Sequence, residues 1–292
     1  MDRIIVTAML AGSIGVMAAG TPVQLSHQIA GNVIEYTVGP GETFASIGSR
    51  LGIDVATIAS MNRLPPAAKL TAGQVLHLDT RHIVPAVADA ALVVNIPQRM
   101  LFLFEDGRWV QGFPVALGRP NWPTPTGSFS ILTKETDPTW DVPASIQREM
   151  EREGKEPFIK MAPGPDNPLG DRWFGLSVPG IGIHGTNSPG SIYHHQTHGC
   201  IRLHPDDVRM IFDRVSVGAT GEIVYQPVLL AVVDGRVYLE SHRDVYRRFP
   251  DPLGRLRASA DQLHLTDVID WGLADRVIRE NAGIARDVTA CP

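Results

Sequence analysis

From Leu92 onward, short apolar runs alternate with turn residues, and this pattern restricts the fold to one built mainly of β-strands. Residues 92–96 and 100–104 are apolar, and Glu105-Asp106-Gly107 after the second run is typical of a hairpin turn. Asp234-Gly235 separates two later runs in the same way. The chain contains 28 glycines and 23 prolines, so the sequence favours many turns and short strands over a helical bundle.

The composition of the 292-residue chain indicates one large or two modest globular domains. Hydrophobic residues make up 43% and charged residues 20%, which provides enough apolar material for a buried core. The formal net charge is −5, which argues against a general nucleic-acid-binding protein. The two cysteines, Cys200 and Cys291, are too few for the disulfide framework of a small secreted scaffold.

The N-terminal 20 residues have the pattern of a secretory signal peptide. Arg3 precedes the apolar residues 4–19, and Ala18-Ala19-Gly20 offers small side chains for cleavage. We therefore expect a signal peptide at residues 1–20 and export to the periplasm, with an uncleaved membrane anchor as the alternative. No later apolar run approaches the length of about 20 residues needed to cross a bilayer.

Residues 34–80 predict a small unit with the order strand, helix, helix, strand. Residues 35–38 favour a strand, and the spacing of the apolar residues that follow favours two helices. Gly52 is placed as the C-terminal cap of the first helix and Asp54 as the N-cap of the second. Residues 73–78 predict the closing strand.

This unit resembles the LysM (lysin motif) family in the stretches YTVGPGETF at 36–44 and LTAGQVLHL at 70–78. The resemblance implies an α+β module of the order βααβ that binds N-acetylglucosamine-containing glycans such as peptidoglycan. The implied glycan-binding residues lie in two loops: Gly41, Glu42, Thr43 and Asn62. The alternative is a small spacer that has lost its affinity for sugars.

The remaining boundaries follow from changes in composition. Residues 81–91 (RHIVPAVADAA) predict a linker, residues 92–227 the main domain, and residues 228–292 a C-terminal hairpin and helical extension. Pro205 begins a predicted helix with an apolar stripe, and a further helix is predicted over 145–153.

Cys200 is the candidate nucleophile because a thiol becomes reactive beside an imidazole or a cation. If residues 197–203 are extended, His198 points to the same face as Cys200, and His184 can approach across the sheet from an earlier strand. The Gly185 carbonyl can accept the Nδ1–H of a histidine and fix the tautomer whose Nε2 faces the sulfur. Gly199 allows the backbone to turn its N–H groups toward a developing oxyanion.

The sequence THGCIR at 197–202, which begins thirteen positions after His184, resembles the signature of the L,D-transpeptidases. The stretches DPTWDVPASI at 137–146 and IHGTN at 183–187 are similar to the periplasmic Gram-negative branch of that family. The resemblance implies a mainly β catalytic domain, a β-sandwich with few helices, that works without cofactor or metal. It also implies a set of catalytic residues: Cys200 as nucleophile, His184 as base and acid, Gly185 as the orienting carbonyl, and His198 and Gly199 beside the oxyanion hole.

The implied reaction joins peptidoglycan stem peptides through a thioester. Cys200 attacks the bond between an L-diamino acid and the terminal D-Ala of a tetrapeptide stem, and an amine then receives the acyl group. The acceptor is a second stem peptide, which gives a 3→3 crosslink, or a lysine of an outer-membrane lipoprotein. The implied substrate-binding residues are Thr197 and Arg202, and Arg202 either pairs with a stem-peptide carboxylate or holds its loop through backbone carbonyls.

Several alternatives stay open at this point. His194, His195, His198, Cys200 and His204 are numerous enough for a zinc site, although their spacing does not give the usual ligand pairs. Cys291 is interpreted as a free tail thiol, with a bridge to Cys200 as the alternative. An L,D-carboxypeptidase that uses water, or a non-catalytic LysM wall-binding protein, are the alternative functions.

Overall fold

A computed structural model describes residues 22–87 and 89–291. The signal peptide predicted at residues 1–20 lies outside these ranges. Within them, none of the helices combines the length and the apolar character needed to span a bilayer.

The described residues form six α-helices and twenty short strands. The helices are α1 (Phe44–Leu51), α2 (Val55–Met61), α3 (Ala144–Arg152), α4 (Pro205–Arg214), α5 (Pro252–Gln262) and α6 (Trp271–Glu280). The strands are β1 (Leu25–Ser26), β2 (Ile29–Ala30), β3 (Val33–Thr37), β4 (Val75–Asp79), β5 (His82–Ile83), β6 (Leu92–Asn95), β7 (Met100–Glu105), β8 (Arg108–Pro114), β9 (Leu117–Gly118), β10 (Gly127–Thr136), β11 (Trp140–Asp141), β12 (Lys160–Met161), β13 (Arg172–Leu176), β14 (Gly182–His184), β15 (His195–Thr197), β16 (Ile201–Arg202), β17 (Thr220–Val224), β18 (Val228–Val233), β19 (Arg236–Ser241) and β20 (Arg286–Asp287).

Eight strands build the main sheet, in the order β16-β14-β13-β10-β17-β6-β7-β8. The β14/β16 and β17/β6 pairs are parallel, and the other neighbours are antiparallel. Helix α4 begins at Pro205, as predicted, and buries Val208 and Ile211 in the same core as the sheet. The mainly β character of the catalytic domain is thereby confirmed.

The LysM unit has the predicted order of β3, α1, α2 and β4. Its two strands pair antiparallel from Val33↔Asp79 to Thr37↔Val75, and the two helices share a core of their own with them. Gly52 caps α1 with φ 72°, a left-handed conformation that glycine adopts without steric cost.

Asp54 is the N-cap residue of α2, as predicted, but its side chain makes no capping hydrogen bond. Its carboxylate instead accepts two hydrogen bonds from Arg99, at 3.0 and 2.9 Å, and Arg99 lies in the turn between β6 and β7 of the main sheet. An ion pair with the nearly buried guanidinium of Arg99 therefore takes the place of a side-chain cap. The sequence could not predict this pair, because spacing along a helix contains no information on tertiary partners.

The C-terminal residues contain the β18–β19 hairpin and helices α5 and α6, which pack as a third unit with a core of its own. β18, β19 and β20 continue a four-stranded sheet whose first strand is β1, from the beginning of the described chain. Val23 shares the core of this unit with α5 and α6. The predicted segment 228–292 is therefore completed by residues that lie before the LysM unit, which composition alone cannot indicate.

Residues 81–91, predicted as a linker, include a packed segment. His82, Ile83 and Val84 are almost fully buried, and β5 pairs with β2. Ile83 packs with Leu229 and with other apolar residues of the C-terminal unit. The small and apolar residues of this stretch form a packed junction between units.

Candidate active site

Two adjacent parallel strands bring Cys200 and His184 to one face of the main sheet. β14 and β16 pair with Ile183 opposite Ile201 and His184 opposite Arg202, and Cys200 directly precedes β16. Because side chains two positions apart in an extended strand share a face, Cys200 projects on the same side as His184 and Arg202. The Cys200 sulfur lies 3.8 Å from the Gly180 carbonyl oxygen, just before β14.

His184 is held in one orientation. Its Nδ1 lies 2.7 Å from the carbonyl oxygen of Gly185, so Nδ1–H donates and Nε2 is left with a lone pair. The indole of Trp173 stacks on the imidazole with ring centroids 5.8 Å apart. Burial, with a smaller contribution from the charge of Arg202, lowers the pKa of His184 to about 3. The imidazole is therefore neutral and able to accept a proton at neutral pH.

Cys200 is partly exposed and not bonded to Cys291, and both thiols are free. Burial raises the pKa of the Cys200 thiol, while a hydrogen bond with the Gly182 backbone and the charge of Arg202 act in the opposite direction. The pair is therefore a neutral thiol and a neutral imidazole at rest. Such a pair needs proton transfer during attack rather than a standing thiolate.

The turn before Cys200 is fixed by hydrogen bonds of its own. The Thr197 hydroxyl donates to the Cys200 carbonyl oxygen at 2.6 Å and accepts from the Gly199 N–H at 3.2 Å. Gly199 has φ 109°, and a Cβ there would lie 2.8 Å from the Ile181 side chain. Thr197, predicted to bind substrate, is buried and uses its hydroxyl inside the turn, and the Gly199 N–H is likewise engaged.

Arg202 holds a neighbouring loop, and its predicted pairing with a stem-peptide carboxylate stays a prediction. Its Nη1 donates to the Ser191 hydroxyl at 3.0 Å, so it fastens a neighbouring loop through a side chain rather than a backbone carbonyl. Its Nε is buried and has no hydrogen-bond partner among the described residues. Burial lowers the pKa of this guanidinium, which remains charged at neutral pH.

His198 of the signature contacts helix α3. Its Nε2 lies 2.5 Å from Glu149 Oε2 and 2.6 Å from Arg119 Nη2, and its ring lies 5.0 Å from that of Trp122. Neither Glu149 nor Arg119 was singled out from the sequence, because nothing in the spacing of the chain links positions 119, 149 and 198.

Comparison with known proteins identifies two of the domains. Residues 89–229 match the L,D-transpeptidase catalytic domain family YkuD, and residues 36–79 match the LysM domain. A "Putative L,D-transpeptidase YqjB" of Bacillus subtilis is 33% identical over 139 residues, which cover 46% of this chain and 70% of that protein. The chain belongs to the L,D-transpeptidase family.

Other relatives extend over more of the transpeptidase. A "Probable L,D-transpeptidase ErfK/SrfK" of Salmonella typhimurium is 29% identical over 269 residues, covering 86% of this chain and 83% of that protein. Among solved structures, an "L,D-transpeptidase from Mycobacterium smegmatis" is similar with a TM-score of 0.39 and 20% identity, over 70% of this chain and 100% of that one.

The histidines considered for a zinc site have separate partners in the transpeptidase. His204 Nε2 lies 3.0 Å from the Ser49 carbonyl oxygen of the LysM domain, and the His195 ring contacts Tyr246. In the described part of the chain, the group with metal-ligand geometry is instead His82, Glu240 and His242.

Sequence reasoning did not find this buried group, because His82 lies 158 residues before Glu240. Glu240 Oε1 lies 2.8 Å from His82 Nδ1 and 2.7 Å from His242 Nε2, and it also accepts from Gln98. His82 Nε2 lies 3.0 Å from the Gly52 carbonyl oxygen. These distances are those of hydrogen bonds, and they join the LysM domain, the main sheet and the C-terminal unit.

The side chains predicted to bind glycan are engaged within the LysM domain. Glu42 accepts from the Tyr36 hydroxyl and the Gly39 N–H, both at 2.7 Å, and these bonds lower the pKa of its carboxyl. Thr43 forms a capping box with Ser46 at the start of α1. The Asn62 amide bonds to Ile58 and His77 backbone groups, so these three residues shape the two loops. Gly41 directly precedes Glu42 in the first loop and has φ 77°.

Proposed function

We propose that the protein is a periplasmic peptidoglycan L,D-transpeptidase in which Cys200 is the nucleophile and His184 the general base and acid. The observation that carries the proposal is the 2.7 Å hydrogen bond from His184 Nδ1 to the Gly185 carbonyl, on the strand next to Cys200. It leaves the Nε2 lone pair as the proton acceptor on the face from which the thiol projects.

In the first half-reaction, His184 Nε2 takes the thiol proton as the sulfur attacks the carbonyl that joins the L-diamino acid to D-Ala. The developing oxyanion needs backbone donors, and the Thr197 hydroxyl occupies the Gly199 N–H but not the N–H groups of His198 and Cys200. The C–N bond then breaks, and His184 returns the proton to the leaving amine of D-Ala. The product is a thioester on Cys200.

In the second half-reaction, the amine of an acceptor attacks the thioester and His184 again receives a proton. The amide forms, and the proton returns to the leaving thiolate. A stem-peptide amine gives a 3→3 crosslink, and a lipoprotein lysine gives an anchored protein. The LysM domain supports the same assignment because that family binds peptidoglycan, and its predicted loops keep the catalytic unit near its substrate.

Purified protein incubated with tetrapeptide muropeptides tests this function. We expect release of D-Ala, an intact-mass increase on Cys200 equal to the acyl group, and muropeptide dimers. Cys200→Ala removes all three signals. Release of D-Ala without dimers, with tripeptides as the product, indicates a carboxypeptidase instead, and addition of a lipoprotein C-terminal peptide tests the other acceptor. An intact free thiol that never forms a thioester contradicts the proposal.

Export and wall binding are tested separately. Fractionation of cells that produce the full chain is expected to give a periplasmic protein shortened near residue 20, and a cytoplasmic protein contradicts this localisation. Cosedimentation with insoluble peptidoglycan is expected for the full protein. Retention after Cys200→Ala shows that binding does not depend on the thioester, and no sedimentation contradicts a glycan-binding role for the LysM domain.

A further inference from the structure

Helix α3 rests on the active-site turn through one charged contact. None of its residues is fully buried, and its apolar side chains Ile146 and Met150 are half-buried. Among the ion pairs of the described residues, those that tie α3 to the main domain come from Glu149. This carboxylate reaches Arg119 Nη2 with both oxygens, at 2.6 and 2.8 Å.

The contact reaches the turn before the nucleophile at two neighbouring residues, Thr197 and His198. His198 is two residues before Cys200, and its Nε2 lies 2.5 Å from Glu149. Arg119 donates its backbone N–H to the Thr197 carbonyl at 3.1 Å. The ring of His198 donates to Glu149 when Nε2 carries a proton, and it accepts from Arg119 when Nε2 does not. The three side chains therefore remain joined whether or not Nε2 carries a proton.

We propose that Glu149 is a positioning residue for acyl transfer: with Arg119 it holds His198, and thereby the turn that presents the Cys200 N–H to the oxyanion. This inference rests on the function proposed above and assigns Glu149 no contact with substrate. Gly199, between His198 and Cys200, has φ 109°, a conformation in which small rotations redirect the next N–H. A side-chain anchor on His198 restricts such rotations, which is what a preorganised donor requires.

Two reactions of the Cys200 sulfur distinguish a residue that positions the oxyanion donor from one that only stabilises the fold. Acylation passes through a tetrahedral oxyanion, whereas alkylation by iodoacetamide is a direct displacement at carbon and forms none. We therefore compare Glu149→Ala with wild type in D-Ala release, in acylation by a carbapenem, and in alkylation. The matched control is Glu151→Ala, on the same helix and exposed without an ion pair among the described residues. Alanine favours helix at both positions.

For Glu149→Ala we expect kcat for D-Ala release and the carbapenem acylation rate to fall about tenfold or more, since loss of one oxyanion donor costs about 10²–10³. Alkylation and KM are expected to stay within about twofold, and Glu149→Gln, which keeps an acceptor oxygen, is expected to recover part of the rate. Glu151→Ala is expected to behave as wild type.

The proposal is overturned if Glu149→Ala is acylated at the wild-type rate. It is also overturned if the rates of acylation and of alkylation fall in parallel. If wild type is acylated by the carbapenem but releases no D-Ala, the proposed function fails while the carbapenem rates still decide the role of Glu149. If wild type reacts with neither, both proposals are overturned.

Discussion

His184 and Arg202 occupy matched positions on the adjacent strands β14 and β16, which places a guanidinium charge beside both members of the acyl-transfer pair. The charge lowers the pKa of the imidazole and of the thiol together. For the thiol, burial acts in the opposite direction and dominates. Arg202 thus favours the thiolate as it forms while it keeps the imidazole neutral and ready to accept a proton.

Arg202→Gln is expected to move the pH dependence of Cys200 alkylation to higher pH. Removal of the positive charge disfavours the thiolate, so the pKa of Cys200 rises and the rate at pH 8 falls. The measurement is the rate of iodoacetamide alkylation between pH 7 and pH 11. Ser191→Ala breaks the Arg202 hydrogen bond and retains the charge, so its profile should match that of wild type. An unchanged profile for Arg202→Gln contradicts the electrostatic account.

The low pKa of His184 predicts the acid side of the activity profile. Because the free imidazole has its pKa lowered to about 3, it stays neutral down to that pH. We therefore expect that kcat/KM does not fall near pH 6.5 through protonation of His184, although an exposed histidine titrates at that pH. Because the pKa of His184 is lower in the folded than in the unfolded protein, burial of the neutral imidazole makes its full contribution to the free energy of unfolding above about pH 6.5. This contribution is lost as the pH falls toward 3. A limb near pH 6.5 that disappears in His184→Gln contradicts this prediction.

His184→Ala is expected to lower D-Ala release by about 10²–10⁴, the usual contribution of a general base. His198→Ala is expected to cost less, because its ring contacts Glu149 and Arg119 rather than the proton-transfer path. Both variants are compared by initial rates at pH 7, with circular dichroism as the control for folding. If the loss is greater for His198→Ala, the base has been assigned to the wrong histidine.

The sequence predicted the features that depend on local spacing. Apolar periodicity and turn residues located the LysM helices and α4, and the separation of His184 from THGCIR placed both on neighbouring extended segments. Contacts between distant parts of the chain were not predicted. Asp54 occupies the predicted N-cap position, but the pairing of its side chain with Arg99 was missed. Val23 likewise completes a core formed by residues after 228.

The errors share a physical cause. Composition reports how polar a segment is, but not which surface covers it, so the buried junction at His82–Val84 was interpreted as a linker. In the LysM loops, the assignment of Glu42 and Asn62 to glycan binding stays a prediction, and their side chains also bond to nearby backbone groups, as polar side chains in turns commonly do. Resemblance located the loops but could not distinguish residues that shape them from residues that contact a glycan.

Glu240→Gln is expected to destabilise the folded protein by about 3–5 kcal/mol at pH 7, as removal of one partner from a buried charged group does. Burial alone raises the pKa of this carboxyl, but His82 and His242 outweigh it and lower the pKa to about 2. Since the folded pKa is the lower one, the stabilisation is complete above about pH 4.5 and declines as the pH falls toward 2.

Urea unfolding of Glu240→Gln and wild type at pH 7 and pH 3.5 measures this difference. The control Glu35→Gln alters an exposed carboxyl of the LysM domain, and its free energy of unfolding should match wild type. Equal destabilisation of Glu240→Gln at both pH values, or none at pH 7, contradicts a stabilising ionised Glu240.

Gly199→Ala is expected to lower both acyl transfer and stability. The residue has φ 109°, and an added Cβ would lie 2.8 Å from Ile181, so the turn must rotate before it accepts a side chain. Strain of this kind costs about 1–3 kcal/mol, and the rotation displaces the Cys200 N–H. Gly190→Ala is the matched control, because no atom lies within 4 Å of a Cβ at that position. Acylation rates and urea midpoints of the two variants measure whether Gly199→Ala alone loses activity and stability. If the two alanine variants are equally active, the conformation of Gly199 does not matter to the oxyanion donor.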